Sequence, residues 1–334
     1  MKRINKLKQS VLLGYSLLRR KLAFATIPIF ATDRCNSQCT ICNIWKKKPK
    51  TDLDPEIVRR ILKSKALSRY SGFILTGGEF ILHPEHKEIL SHLNASGKHY
   101  ILLSNGLLPE KLIEIVREFA VKHVSLSLDG SPETYRKIRG VDGYSRVQET
   151  VERLKDDNIR VSIGYTISPW NSRSDLLHVM QFCTKHAVNL SVGYYCSVDY
   201  YDIGKYDGGL YSADDLIEHP YHKLYPLWAA GNLNMPCLSI FLKPVIRPNG
   251  DVDMCEPLGI KLGNLNEQSL EEIWHNRRTE LLQKRNFSCN GCWHDAQRLC
   301  DISAISTFKS VIPTPALDRT LGKSDWRTVY KYLT

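Results

Sequence analysis

Residues 27–42 read IPIFATDRCNSQCTIC, an apolar run that ends in three closely spaced cysteines. The run Ile27–Thr32 predicts a buried β-strand, and Cys35, Cys39 and Cys42 follow it in the spacing CxxxCxxC. Three thiolates on one loop can hold three irons of a cubane iron–sulfur cluster and leave the fourth iron open. The alternative interpretation is a zinc loop that takes a fourth ligand from elsewhere in the chain.

Outward from this stretch, apolar runs alternate with amphipathic segments. The predicted strands are Ile27–Thr32, Phe73–Leu75, Tyr100–Leu103, Val124–Leu128, Val161–Ile167 and Leu190–Tyr194. Helices between them are predicted partly from start signals, as at Asp54-Pro55-Glu56 and Ser131-Pro132-Glu133. Six strand–helix units in succession predict a parallel sheet, either open or curved into a partial barrel.

The composition agrees with a folded α/β protein. The chain has 334 residues, of which 43% are hydrophobic and 24% are charged. No stretch approaches the roughly 20 unbroken apolar residues of a membrane-spanning helix. Fibrous, low-complexity and transmembrane classes are therefore excluded.

The cysteine loop and its place after the first strand resemble the radical S-adenosylmethionine (radical SAM) superfamily. The resemblance implies an α/β fold, a partial (β/α)6 TIM-like barrel, with a [4Fe-4S] cluster on Cys35, Cys39 and Cys42. It also implies that S-adenosyl-L-methionine (SAM) chelates the open iron and is reductively cleaved to a 5′-deoxyadenosyl radical. Ile41 is a departure, because this family commonly has an aromatic residue there. We expect Ile41 to pack on the adenine side.

Polar residues at the ends of the second, third and fourth predicted strands are candidate SAM ligands, because the carboxyl ends of parallel strands share one edge. Each could equally be an ordinary polar strand end when taken alone. The sequence Gly77-Gly78-Glu79 resembles the family's GGEP element, which binds the SAM amino group, although Phe80 replaces the proline. The full set of candidates is Gly77, Gly78, Glu79, Ser104, Asn105, Ser127, Asp129 and Arg139.

A second cysteine group follows near the C-terminus, at Cys237, Cys255, Cys289 and Cys292. Two cysteines around a hairpin and a CxxC knuckle also build zinc ribbons, so a zinc site is the alternative. Beside a radical SAM core, however, the group resembles the SPASM/twitch extension. The resemblance implies a small Cys-rich α+β domain with one auxiliary [4Fe-4S] cluster, since four cysteines suffice for only one.

Three cysteines remain outside both groups: Cys183, Cys196 and Cys300. Buried free thiols usually act as small hydrophobic residues, which is the expectation for Cys183. Cys300 lies soon after the CxxC knuckle and is a candidate hydrogen-atom donor or substitute cluster ligand.

The net charge of +11 is concentrated at the N-terminus. The first 50 residues hold twelve Lys and Arg and one acid, whereas the remaining residues are balanced. A nucleic-acid partner is therefore not expected. Apolar residues at helical spacing predict a basic amphipathic helix over residues 1–26. It either plugs the bottom of the barrel or rests on an anionic membrane surface.

The resemblance leads to a functional hypothesis with alternatives. We expect hydrogen abstraction from a substrate, followed by a two-electron oxidation or bond formation in which the auxiliary cluster accepts an electron. A radical epimerase and a peptide-maturation enzyme are alternatives, and a non-catalytic zinc-binding interaction protein is the alternative from another class. Candidate substrates are a small polar metabolite, a sugar, a lipid-linked compound or a peptide. About 26 residues precede the first strand, which is short for a leader-peptide domain.

The expected partners and location follow from the same hypothesis. The reaction needs a reducing partner such as flavodoxin or ferredoxin. Reduced cysteines predict a cytoplasmic protein, with the inner membrane face as a candidate peripheral site. The predicted organisation is an N-terminal helix (1–26), the barrel (27–196), a linker (197–234), the SPASM/twitch domain (235–300) and a C-terminal extension (301–334).

Overall fold

The computed structural model describes residues 26–68, 71–196, 209–321 and 324–333. A parallel sheet of six strands forms the larger part of the molecule. These strands are β1 (Thr26–Thr32), β2 (Gly72–Gly77), β3 (Tyr100–Ser104), β4 (His123–Ser127), β5 (Arg160–Ile167) and β6 (Asn189–Tyr194). They pair in sequence order, so every predicted strand and the α/β class of the fold are confirmed.

Helices connect the consecutive parallel strands. They are α1 (Pro55–Leu62), α2 (His86–Ser96), α3 (Pro109–Glu118), α4 (Pro132–Arg139), α5 (Tyr144–Asp156) and α6 (Arg173–His186). The predicted start residues cap their helices. The Asp54 carboxylate accepts a hydrogen bond from the Glu56 amide at 2.8 Å, and the Ser131 hydroxyl accepts one from the Thr134 amide at 3.4 Å. The apolar strand residues pack in one core with these helices, whereas on β4, β5 and β6 they alternate with Ser, Thr and Gly.

Three short strands, paired antiparallel with one another, extend the same sheet beyond β1. They are β7 (Val245–Ile246), β8 (Asp251–Asp253) and β9 (Lys261–Asn264). Ile246 of β7 pairs with Ile29 of β1, so the C-terminal unit continues the barrel sheet. Gly250 has a φ of +82° in the turn between β7 and β8, a conformation that L side chains rarely adopt.

The remaining helices are α7 (Pro220–Ala229), α8 (Leu270–His275), α9 (Arg277–Asn286), α10 (Asp295–Val311), α11 (Thr314–Leu321) and α12 (Trp326–Lys331). The sequence predicts one helix from Ser269 to about Lys284, whereas the structure has two. Asn276 is extended between them, with a ψ of 159°, and its side chain accepts from the Thr279 amide at 2.7 Å. The side chain of Asn276 thus caps the second helix and ends the first.

The helix predicted from Ser212 and the boundary predicted after residue 300 can be compared with the structure. The short helix expected from Ser212 is a turn, and the helix of this region, α7, begins later at Pro220. The boundary placed after residue 300 falls inside α10. The predicted N-terminal helix lies almost entirely outside the described residues. No helix in the described ranges is both long and apolar enough to cross a bilayer.

Candidate functional site

The three cysteines of the first loop lie on the wall of one large cavity. The cavity has a volume of about 800 Å³ and is lined by residues from all six parallel strands. Cys35, Cys39 and Cys42 also line it. Burial, with a smaller contribution from neighbouring thiols, raises the pKa of Cys35 to about 11 and that of Cys42 to about 12. The three cysteines thus lie together on the wall of a partly desolvated pocket, which suits ligands of one cluster.

The C-terminal end of α4 holds the cysteine loop through its backbone. The amide of Gln38 donates to the carbonyl of Arg139 at 3.0 Å, and the amide of Thr40 donates to the carbonyl of Ile138 at 2.8 Å. Gly140 follows with a φ of +66°, and a Cβ there would lie 2.5 Å from the Gln38 carbonyl oxygen. Only glycine lets the helix end approach the loop this closely.

Asn105 at the end of β3 anchors the same loop with its side chain. Its amide nitrogen donates to Asn36 Oδ1 at 2.7 Å and to Ser37 Oγ at 3.1 Å. Its own Oδ1 accepts from the Leu107 amide at 3.0 Å. The side chain of this predicted SAM ligand therefore also positions the cysteine loop.

Lys50 closes the loop at its far end. Its ammonium group donates to the carbonyls of Asp33, Ile44 and Trp45 at 3.0, 3.2 and 2.9 Å. Lys50 is therefore engaged by the backbone of its own loop.

The two glycines of the predicted SAM motif bring β2 against the loop that follows β1. A Cβ on Gly77 would lie 2.5 Å from the Thr32 carbonyl oxygen, and one on Gly78 would lie 2.1 Å from the Arg34 carbonyl oxygen. The Gly78 amide donates to Thr32 O, and the Glu79 amide donates to Arg34 O, both at 2.7 Å. In this structure the glycines let two backbone segments approach each other beside the cysteine loop.

Glu79 is a buried acid whose carboxylate is only partly hydrogen-bonded. Its carboxylate is buried, Oε2 accepts from the Asn105 amide at 2.7 Å, and Oε1 has no hydrogen-bond partner among the described residues. Burial raises the pKa of Glu79 to about 7, against the lowering effect of the Asn105 amide. A buried carboxylate oxygen without a donor costs free energy, and an ammonium group placed there would supply the missing donor.

Arg139 on the cavity wall forms an ion pair with Asp129, which is buried behind it. Asp129 Oδ1 also accepts from the Thr166 amide at 3.0 Å, and the Arg139 guanidinium reaches to 3.9 Å from Cys39 Sγ. Burial opposes the charged form of Arg139, but Asp129 and Cys39 outweigh it and raise its pKa. Asp129 is fully buried and does not line the cavity, so it positions Arg139 instead of facing a ligand directly.

The predicted SAM ligands thus separate into two groups. Those on the cavity wall are Gly77, Gly78, Ser104, Asn105, Ser127 and Arg139. Glu79 and Asp129 are buried behind that wall. Ile41 lines the cavity, and Phe80 is buried in the core at the start of a 3-10 helix.

The C-terminal cysteines form a second thiol group. Cys237 and Cys255 are buried, and Cys289 and Cys292 are partly buried. Burial, with smaller contributions from Cys292 and Cys289, raises the pKa of Cys255 to about 12. Burial also raises the pKa of Cys237, with smaller contributions from Asp301 and Cys255. No set of three or more His, Cys, Asp or Glu side chains in the described ranges converges closely enough for a single metal ion.

A buried arginine, which the sequence reasoning missed, joins the two halves of this group. Arg298 on α10 donates to the Cys292 carbonyl at 2.9 Å and to Asn290 Oδ1 at 2.9 Å. It also pairs with Asp301 at 3.1 Å, and Asp301 accepts from the amides of residues 238 and 239 just after Cys237. No local sequence signal identifies it, because its partners meet only in the folded chain.

The three remaining cysteines occupy different environments. Cys183 is buried in the core, as expected. Cys300 is not among the residues that line the cavity, and burial raises its pKa to about 12. Cys196, two residues beyond β6, does line it, and its sulfur accepts from the Trp293 amide beside Cys292. Its position just after the end of a predicted strand is a sequence signal that could have marked it as a site residue.

Comparisons with known proteins agree with this geometry. Residues 29–183 match the model of the radical SAM superfamily, and residues 237–293 match that of the SPASM iron–sulfur cluster-binding domain. The sporulation killing factor maturation protein SkfB of Bacillus subtilis is 23% identical over 282 residues, covering 78% of this chain and 67% of SkfB. GTP 3′,8-cyclase of Microcystis aeruginosa is 34% identical over 128 residues, covering 35% of this chain and 39% of the cyclase.

Solved structures show the same fold at low sequence identity. Streptococcus suis SuiB bound to SAM has a TM-score of 0.61 at 17% identity, covering 80% of this chain and 69% of SuiB. The anSMEcpe structure with bound SAM has a TM-score of 0.59 at 18% identity, covering 88% of this chain and 98% of that one. The chain belongs to the radical SAM superfamily and carries a SPASM iron–sulfur domain.

Proposed function

We propose that this protein is a radical SAM enzyme that oxidises its substrate with the help of one auxiliary cluster. SAM and a [4Fe-4S] cluster are cofactors of the superfamily, and the SPASM domain brings auxiliary iron–sulfur chemistry. We assign the first cluster to Cys35, Cys39 and Cys42, and the auxiliary cluster to Cys237, Cys255, Cys289 and Cys292. The observation that carries the proposal is the single cavity lined both by the first three cysteines and by Glu256 and His294, which neighbour the second group.

The side chains around the first loop fit SAM by their unmet hydrogen bonds. Glu79 Oε1 and Arg139 Nε are buried without partners among the described residues, so an ammonium and a carboxylate group would complement them. When bound, SAM and the cluster supply a 5′-deoxyadenosyl radical that removes a hydrogen atom from a C–H bond. The chain's own part is to orient SAM through these groups and to enclose the reacting atoms.

Four thiols at the auxiliary site favour oxidation. A cubane cluster with four protein ligands leaves no iron open for substrate, so its role is to accept an electron. The net outcome is a two-electron oxidation or a bond formation. Epimerisation is the second candidate, and it is favoured by one observation: Cys196 presents a thiol to the cavity where Cys300 does not. The reductant remains a prediction, with flavodoxin or ferredoxin as the expected class.

SAM cleavage is the first test. After anaerobic reconstitution, dithionite and SAM should yield 5′-deoxyadenosine, and the triple variant Cys35→Ala/Cys39→Ala/Cys42→Ala should yield none. The variant should keep one cluster, because the two cysteine groups lie on separate loops. Iron and sulfide analysis with absorbance measures both points. A fully reconstituted protein that makes no 5′-deoxyadenosine would refute the proposal, and a triple variant without iron would refute the two-cluster assignment.

SAM affinity should depend on pH through Glu79. An ammonium group binds the carboxylate and not the carboxylic acid, so affinity should rise as pH increases through about 7, the raised pKa of this group. Glu79→Gln should bind SAM weakly without this dependence, whereas the exposed Glu133→Gln should behave as wild type. Calorimetric titration of the reconstituted protein between about pH 6 and pH 8 measures the effect. A flat wild-type profile would contradict the assignment.

A further inference from the structure

Three strands turn hydroxyl groups and glycines toward the cavity. Side chains alternate between the faces of a strand, so every second residue of β4, β5 and β6 points to the same side. The residues in question, which we name the hydroxyl wall, are Ser125, Ser162, Gly164, Thr166, Ser191 and Gly193, and all six line the cavity. Register places Ser125 beside Ser162, and Gly164 beside Ser191.

Most of these hydroxyls are unused within the protein. Ser162 bonds to His123 Nε2 at 3.0 Å. The hydroxyls of Ser125, Thr166 and Ser191, by contrast, make no hydrogen bond to any other described residue. Each can both donate and accept, which is the complement of another hydroxyl rather than of an ion.

The part of the cavity that β1, β2 and β3 line is mostly apolar. Its apolar members include Phe30 on β1, Ile74 on β2, and Ile101 and Leu103 on β3, and its polar members are Thr76 and Ser104 at the strand ends. The cavity is thus a slot with one mostly apolar face and one hydrogen-bonding face. A saturated ring with hydroxyl substituents has the same division, because its C–H face packs on apolar side chains while its hydroxyls form hydrogen bonds.

The charged groups and the volume of the cavity further limit which class of ligand it can hold. No member of the hydroxyl wall is itself charged, but charged or titratable groups lie beside it. His123 and Arg160 lie two residues earlier on β4 and β5, and the Asp295 carboxylate lies against Gly193, 3.4 Å from the place of a Cβ there. Burial and the charge of Arg160 lower the pKa of His123, so the imidazole is neutral. Ligand cavities usually measure about 300–1,000 Å³. At about 800 Å³ this cavity has room for a second small molecule beside SAM.

We propose that the hydroxyl wall binds the substrate, and that the substrate is a cyclic polyol, such as a cyclitol or a pyranose. The inference rests on the proposed function, since it places the ring beside the SAM site. It accounts for Gly164, which leaves room for the ring where a side chain would fill the slot. The Asp295 carboxylate beside Gly193 can accept a hydrogen bond from a ring hydroxyl.

Gly164 offers a clean steric test. A Cβ there would meet nothing closer than 3.9 Å, so Gly164→Ala adds a methyl group to the slot without backbone strain. We expect it to weaken polyol binding about tenfold or more. Ser125→Ala should weaken binding by a few-fold through the lost hydrogen bond. Gly209→Ala is the matched control, because a Cβ there would meet no atom of the described residues within 4 Å and Gly209 is not among the residues that line the cavity.

The probes are myo-inositol, D-glucose and the tripeptide Gly-Ser-Gly, added to reconstituted protein with SAM. Saturation-transfer NMR measures binding, and cluster absorbance checks that each variant is folded. Support requires that a polyol binds and that Gly164→Ala and Ser125→Ala, but not Gly209→Ala, weaken it. The inference is overturned if neither polyol binds, if the variants bind it equally, or if only the tripeptide responds to Gly164→Ala. SAM cleavage without added probe is measured in parallel, so failure of the enzyme itself is distinguished from failure of the wall.

Discussion

Arg298→Ala is expected to lose the auxiliary cluster and to destabilise the C-terminal unit. The arginine is almost completely buried, and its guanidinium joins Cys292, Asn290 and Asp301. Its removal leaves the Asp301 carboxylate buried without its counter-charge, which typically costs about 3–5 kcal/mol. Burial already raises the pKa of Asp301 to about 6 while Arg298 lowers it, so the acid should become protonated in the variant.

Iron content per chain and thermal unfolding measure this effect. Iron should fall to the amount of one cluster, and the transition should shift to lower temperature. Arg285→Ala is the matched control, because Arg285 is exposed at the end of a neighbouring helix. If Arg298→Ala kept both its iron and its melting temperature, the arginine would have no part in holding the cysteine group.

Gly78→Ala is expected to remove the other cluster. A Cβ there would lie 2.1 Å from the Arg34 carbonyl oxygen and 3.0 Å from Cys35 Cβ, so the loop backbone must move. Because the loop carries all three proposed ligands, a displacement at its first cysteine should prevent cluster assembly. The auxiliary cysteines lie on other loops and should be unaffected.

Electron paramagnetic resonance of the reduced protein separates the two clusters in this variant. We expect the loss of the signal that SAM perturbs, retention of the other, and no 5′-deoxyadenosine. The same change at Gly209, which has open space, should alter neither signal. A Gly78→Ala protein that still cleaves SAM would show that the loop tolerates the displacement.

The barrel strands could be predicted from the sequence because their apolar residues recur at every second position between turn residues, as in Val161–Ile167. Motif spacing likewise identified the cysteine loop and Glu79. The split after His275 was not predictable from periodicity, because it depends on the capping side chain of Asn276. Asn276 precedes a basic helical segment that looks continuous in sequence.

The supporting side chains were harder to predict than the motifs. Asn105 and Asp129 were proposed to contact SAM, yet the first also anchors the cysteine loop and the second holds Arg139. Their partners are 69 and 10 residues away, so no local pattern encodes the contacts. In the sequence, Arg298 looks like an ordinary exposed helix residue, whereas in the folded protein its side chain is almost completely buried.

The pairing of Ile29 with Ile246 makes β1 and β7 neighbours in a single sheet. The loop after β1 carries the first cysteines, and the hairpin that starts with β7 leads to Cys255. The span between the two cysteine groups is therefore fixed by backbone register and not by a flexible tether. Under the proposed function, this register would set the distance between the first cluster and the auxiliary cluster, and would thereby limit how far a substrate can extend between them.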